Sequence, residues 1–227
     1  MNVRSVGTGS VAPETTLPAT QPDRRAQRRA ARRAENRTDI LDAAERVFGE
    51  HGVSDGSLRQ IAHLSGFSPA AIYLFFENKQ HLLAETLARR EGELVVALRT
   101  VAESDLSPFD KLHHIVDVGV AFFEAHPDFR RLVRRVTGGA VVGSALAGDA
   151  GDADRQFMEA MTLLAGIIAA GQEAGEIRAG DAYAMAHLFS VLISEHVLLG
   201  AGGEPGVGIL TPEQFHGLVD GALRHPR

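Results

Sequence analysis

The 227-residue sequence has no cysteine. That excludes a disulfide framework and thiolate metal sites, and it fits a reducing compartment. Tryptophan is absent and tyrosine occurs twice, which disfavours large aromatic platforms for carbohydrate. No apolar run approaches the ~20 residues needed to span a bilayer. The first 22 residues lack a charged stretch followed by an apolar one, so no secretory signal is expected. No series of segments alternates polar and apolar residues in the manner of strands. The 24 glycines follow no period and 44% of residues are hydrophobic, which excludes collagen-like and wholly disordered chains.

Charge is present but unevenly placed. Residues 1–90 carry 13 Lys/Arg against 10 Asp/Glu, while residues 91–227 carry 10 against 19. The basic excess concentrates in Arg24, Arg25, Arg28, Arg29, Arg32, Arg33 and Arg37. A basic end on an acidic protein suits a nucleic-acid binder with a second, acidic module. A solvated Arg-rich tail has the same composition.

Residues 1–22 are rich in Thr, Pro, Gly, Ser and Ala without periodicity and are expected to be disordered. Ile40, Leu41, Ala44, Val47 and Phe48 recur at helical spacing, which predicts a first helix over Glu35–His51 closed by Gly52. Ser57 caps a short helix with Leu58, Ile61 and Ala62, which Gly66 ends. Ser68 caps another, with Pro69 at its first position. Lys79 opens a long helix with a stripe of Leu83, Leu87, Arg90, Leu94, Leu98 and Val101. Further helical faces run through Leu112–Phe123, Phe129–Val133, Phe157–Ile168, Met185–Leu199 and Phe215–Leu223. Thr137–Asp152 and Gly200–Gly208 read as loops. The expected fold is all-α with about nine helices. It comprises a disordered Arg-rich extension (1–34), a helix-turn-helix domain (35–84) and a helical effector-binding and dimerisation domain (85–227).

The segment Ser57–Phe76, SLRQIAHLSGFSPAAIYLFF, has the spacing of a helix-turn-helix. Ala62 is small enough for two helices to cross, Gly66 lies in the turn, and Ile61, Phe67, Ile72 and Phe75 supply a buried side. An ordinary αα-corner has the same needs. The surroundings add specificity. Thr38–Leu83 resembles the DNA-binding domain of the TetR (tetracycline-repressor-like) family through Ala43-Ala44, Phe48, Gly52, Ile61-Ala62, Gly66-Phe67-Ser68, Tyr73, Phe76, Lys79 and Leu82-Leu83.

The resemblance implies a homodimeric, ligand-responsive transcriptional regulator, in the main a repressor, that binds a palindrome in double-stranded DNA. It further implies a cytoplasmic, nucleoid-associated location. Ser57 and Ser68 stand at helix N-termini, where a phosphate can be held, and Tyr73 and Lys79 can reach others. Pro69, Ala70, Ala71 and Leu74 would face the major groove. They can touch thymine methyls but cannot make bidentate hydrogen bonds. Base readout would then fall to Arg59, Gln60 or the Arg24–Arg37 arm, or to DNA shape. The arm either enters the minor groove or is a flexible tail adding non-specific attraction.

By the same resemblance, the last two long helices are dimer candidates: Met185, Leu188, Phe189, Leu192, His196, Leu199, Phe215, Leu218, Val219 and Leu223. Leu94, Leu98, Ile115, Phe122, Phe123, Phe157, Met161, Leu164 and Phe189 are candidates for lining an effector pocket. No cofactor is implied, and no enzymatic motif is present. GAGGEPGVG (Gly200–Gly208) lacks the strand and the Lys-Ser/Thr of a phosphate loop, and no G-x-S-x-G occurs. Two competing readings remain. One is an all-α enzyme or metal protein using His113 and Asp117, four apart, with His114, His187 or His196. The other is an architectural DNA binder without effector.

Overall fold

The computed structural model describes residues 24–137, 151–199 and 210–225. The expected disorder of 1–22 and the loop expected at 200–208 lie outside them, as does 138–150 of the loop expected over Thr137–Asp152; its ends are helical, Thr137 closing one helix and Gly151 and Asp152 opening another. Nine helices are described: α1 (Arg24–Asp55), α2 (Leu58–Ser65), α3 (Pro69–Ile72), α4 (Lys79–Ala102), α5 (Pro108–Ala125), α6 (Pro127–Thr137), α7 (Gly151–Glu173), α8 (Ala182–Leu199) and α9 (Pro212–Leu223). Strand pairing among the described residues is limited to one isolated bridge, Ile177 to Arg224. No described helix is long and apolar enough to cross a membrane.

The structure divides at Asn36 into two compact units. In the first, Arg24–Ala34 is helical and exposed, where a disordered extension was expected. The sequence RRAQRRAARRAE explains the difference, because Ala and Arg are among the strongest helix formers. Their spacing also places the arginines on one half of the helix and the alanines on the other.

In the second unit, Ile40, Ala44 and Phe48 of α1 are fully buried with Ile61, Ile72, Phe76, Leu82 and Leu87. The same cluster continues through Phe123, Phe129, Leu132, Val133, Val197 and Leu198, from α5, α6 and α8. The boundary expected at 84/85 is therefore not a break in the core. A second cluster packs α4, α5, α7, α8 and α9 around Leu112, Val116, Met161, Ile168, Phe189 and Val219. Helix α4 contributes to both: Leu82 and Leu87 to the first, Leu98 and Val101 to the second.

Histidine packing at α8 and α9 has a measurable consequence. The His196 ring stacks on Phe215 at 4.1 Å. Burial pushes its pKa below the ordinary histidine range, and nearby His216 adds to the shift. The folded chain therefore binds the His196 proton less readily than the unfolded chain does. The neutral ring's stability contribution is full above the unfolded pKa of about 6.5 and is lost as pH falls below it. His196→Gln is expected to flatten the fall in Tm between pH 7.5 and 5.5. Parallel profiles for variant and parent would exclude this contribution.

Candidate nucleic-acid interface and ligand cavity

The helix-turn-helix is built by local chemistry. The Ser57 hydroxyl accepts from the Gln60 N–H at 3.2 Å, and the Gln60 side-chain oxygen accepts the Ser57 N–H at 2.8 Å. This reciprocal capping box fixes the start of α2. Gly66 ends α2 in the left-handed region (φ 76°, ψ 16°), which only glycine enters without strain, and Phe67 N–H then returns to the Ala62 carbonyl at 2.9 Å. Ala62 is buried at the crossing. Ser68 accepts from Ala71 N–H at 3.1 Å, and Pro69 takes the first position of α3. The recognition helix is one turn, prolonged by tight turns in which Phe75 and Phe76 N–H bond the Ile72 carbonyl. Phe76 is the fully buried aromatic beneath it; Phe67 and Phe75, expected on the buried side, are only partly covered and meet edge to face at 6.3 Å.

Of the expected DNA contacts, Ser57, Arg59, Gln60, Ser68, Pro69, Ala70, Tyr73 and Leu74 are exposed, and Ala71 is half-buried. Leu74 is 73% exposed and Tyr73 57%. An exposed leucine beside an exposed phenol is an unusual pair for a solvated corner. Two expectations need correction. Gln60 was a candidate base reader through both ends of its amide, but its side-chain oxygen is committed to the capping box, which also occupies the Ser57 N–H and hydroxyl, so only its amide N–H groups are left to reach a base. Arg37 was counted in the arm, but its guanidinium belongs to the helix-turn-helix scaffold. It pairs with Glu85 at 2.8 Å, donates to the Phe75 carbonyl at 3.3 Å and lies over the Phe76 ring at 4.6 Å. Lys79 begins α4 and donates to the Ser54 carbonyl at 3.1 Å, tying α4 to the end of α1. The arginines from Arg24 to Arg33 are exposed on helix α1.

A cavity of ≈ 170 Å³ lies among α4, α5, α7 and α8. Seven of the expected pocket residues line it: Leu94, Leu98, Ile115, Phe123, Phe157, Met161 and Leu164. Phe122 does not; it packs against Phe123, His126 and Phe129. Phe189 does not either, being buried in the second cluster. Sequence periodicity missed the polar members of the wall, Glu91, Gln156, Ser190 and Ser194, because an apolar stripe was the only signal sought. Phe123 and Val197 belong at once to this wall and to the core beneath the helix-turn-helix.

Among the dimer candidates, Phe189, Phe215, Val219 and Leu223 are buried in this chain, and Phe189, Val219 and Leu223 also line a second cavity with Leu188 and Leu192. Met185 and His196 are half-buried. Leu188, Leu192 and Leu218 are 63%, 38% and 42% exposed. The Leu199 side chain lies outside the described residues.

The histidines do not converge as the metal reading requires. His113 Nε2 meets Asp220 Oδ1 at 2.7 Å, and His216 Nε2 meets Asp117 Oδ1 at 3.1 Å, with the two rings stacked at 4.5 Å. Asp117 is thus joined to α9 rather than to His113. His114 and His187 are exposed. Among the described residues no group of three or more His, Asp or Glu is placed to hold a metal ion.

Residues 40–86 match the family model described as bacterial regulatory proteins, tetR family. They form a TetR-family domain. The sequence is 32% identical over 82 residues to the HTH-type transcriptional regulator BetI of Brucella canis, covering 36% of this chain and 41% of that protein. The chain thus spans less than half the length of the curated relatives it matches. Beyond the TetR-family domain the likeness is one of fold. The fatty acid degradation regulator FadR from Bacillus halodurans superimposes with TM-score 0.64 at 19% identity, over 84% of this chain and 97% of that one. AibR, solved with isovaleryl coenzyme A and operator DNA, does so with TM-score 0.65 at 19% identity, over 85% and 100%.

Proposed function

We propose that the chain is a ligand-responsive transcriptional regulator, a repressor that occupies a palindromic operator as a homodimer and leaves it when an effector fills the cavity. The observation that carries this reading is the sharing of Phe123 and Val197 between the cavity wall and the core under the helix-turn-helix. A ligand shifts a two-state equilibrium only by its differential affinity for the two states. Side chains common to both sites supply a physical means for that difference. Support for dimerisation comes from Leu188, Leu192 and Leu218, apolar and exposed on α8 and α9. Two-fold pairing would set two recognition helices on one duplex face, ~34–36 Å apart or a multiple of that. Two proteins of similar fold, the fatty acid degradation regulator FadR and AibR in its complex with isovaleryl coenzyme A and operator DNA, agree with effector control.

The groove-facing surface of Pro69, Ala70 and Leu74 offers methyl contacts, leaving polar recognition to Arg59 and the phosphate-directed groups. Tyr73 and Lys79 serve as phosphate ligands, with Arg24–Arg33 adding charge that makes affinity salt-dependent. The test is selection of genomic fragments by the purified chain, followed by footprinting. A short protected inverted repeat supports the reading; broad, sequence-indifferent protection points to an architectural binder instead. Tyr73→Phe and Lys79→Ala are each expected to weaken binding by about tenfold across all sequences. Lys79→Ala is also expected to reduce the salt slope by about one. Unchanged binding in both would remove their phosphate roles.

A further inference from the structure

Between Pro69 and Leu74 the recognition segment carries one hydroxyl, that of Tyr73, and no amide, guanidinium or carboxylate side chain. Its backbone keeps helical curvature past the end of α3. Tyr73 sits at φ −65°, ψ −11°, and Leu74 N–H returns to the Ala71 carbonyl at 3.1 Å. At helical spacing, positions 69, 70, 73 and 74 span an arc of about 140°. Pro69, Ala70, Tyr73 and Leu74, all exposed, therefore share one face, while Ile72 points into the core at 1% exposure. Leu74 is the largest aliphatic group on that face. In the major groove guanine shows two acceptors, adenine an acceptor and a donor, and cytosine a donor; the apolar group on offer is the 5-methyl of thymine. A leucine can use the last of these and none of the others.

We propose that Leu74 determines specificity in the recognition segment by reading a pyrimidine 5-methyl group, whichever base carries it. The inference rests on the regulator reading and goes beyond it. Thymine and 5-methylcytosine share the methyl and differ at position 4, where one has a carbonyl oxygen and the other an amino group. An isobutyl side chain has neither donor nor acceptor with which to tell them apart. The protein therefore accepts both, and methylation of a cytosine within a half-site turns a poor site into a good one. Apolar burial sets the size of the effect: one methyl taken out of water changes affinity by about fourfold, and by about fifteenfold when both half-sites of a dimer site change together.

The test lets the purified full chain select from a pool of random-sequence duplexes. The preferred duplex is then resynthesised with uracil in place of each fixed thymine, and with cytosine or 5-methylcytosine, paired to guanine, at the same positions. Affinities are read by fluorescence anisotropy. At one thymine in each half-site, uracil is expected to bind about fourfold more weakly than thymine, and 5-methylcytosine about fourfold more tightly than cytosine. Leu74→Ala and Leu74→Ser alter a side chain that is 73% exposed and are expected to melt with the parent. Both are expected to erase the two ratios. Ratios that persist in these variants belong to DNA shape and overturn the proposal. Ratios of one in the unaltered chain, or selected sites with no fixed thymine, overturn it as well. Duplex binding that ignores the methyl sinks this inference and leaves the regulator reading standing, whereas failure to bind any duplex at low ionic strength sinks both.

Discussion

Truncating Glu45 to alanine is expected to lower the unfolding free energy by about 3 kcal/mol, seen as a reduced urea midpoint at unchanged slope. Glu45 is 5% exposed on α1. Its Oε2 accepts from Arg89 Nη2 at 3.0 Å and from Arg90 Nε at 2.8 Å, both on α4. Without the carboxylate, two adjacent guanidiniums remain at a largely closed site, and uncompensated buried charge is what makes breaking such a pair expensive. Asp42 also reaches Arg89 at 2.7 Å and Glu93 reaches Arg90 at 2.9 Å, but these carboxylates are 56% and 44% exposed at the side chain and are screened, so they offset only part of the loss. Glu45→Gln keeps the shape and one acceptor and is expected to fall between parent and alanine. A change below about 0.5 kcal/mol for Glu45→Ala would show that the cluster is solvated in solution. The site has a functional side as well. This clamp joins α1 of the TetR-family domain to the helix whose next two turns, Glu91 to Leu98, line the cavity, so weakening it is expected to blunt any coupling between the two.

The clamp also shows how far sequence carried. Arg90 falls in the apolar stripe of α4, where a charge has no place unless paired, and that anomaly was visible in the pattern. Its partner was not, because Glu45 lies 45 positions earlier and no local spacing links the two. The same division holds across the molecule. Caps are local, so Ser57, Ser68, Pro69 and Gly66 announced the helix-turn-helix correctly. Cavity walls are local in part: helical periodicity found Leu94, Leu98 and Met161 but could not tell lining from core, so Phe122 and Phe189 were included and Gln156 was not. The helix over Arg24–Ala34 was obscured by charge, which resembles a solvated tail in composition, although its helix propensity pointed the other way. Arg37 shows that a run of one residue type does not share one role, since its neighbours in space, Glu85 and Phe76, come from elsewhere in the chain.

The second large effect is expected from adding a single methyl group. Gly49 is buried on α1, and a Cβ there would stand 2.6 Å from the Asp128 carbonyl oxygen and 3.3 Å from its carbon, at the start of α6. Both atoms are backbone, so no side-chain rotation relieves the contact and α6 as a whole must retreat. It is not free to do so. Arg135 of α6 donates to the Gly49 carbonyl at 3.0 Å and to the Glu50 carbonyl at 3.1 Å, and Phe129, Leu132 and Val133 are sealed into the same core. Gly49→Ala is therefore expected to destabilise by about 2–3 kcal/mol, as overpacking does in a close-packed interior. That reverses the usual preference for alanine over glycine within a helix. Gly166 on α7 supplies the contrast, because a Cβ there meets nothing within 4 Å. Gly166→Ala should stabilise by about 0.5–1 kcal/mol through helix propensity and chain entropy. Opposite signs for the same chemical change, read by thermal melts of the two variants against the parent, would establish the α1–α6 contact. Stabilisation by both would mean that the two helices stand further apart in solution.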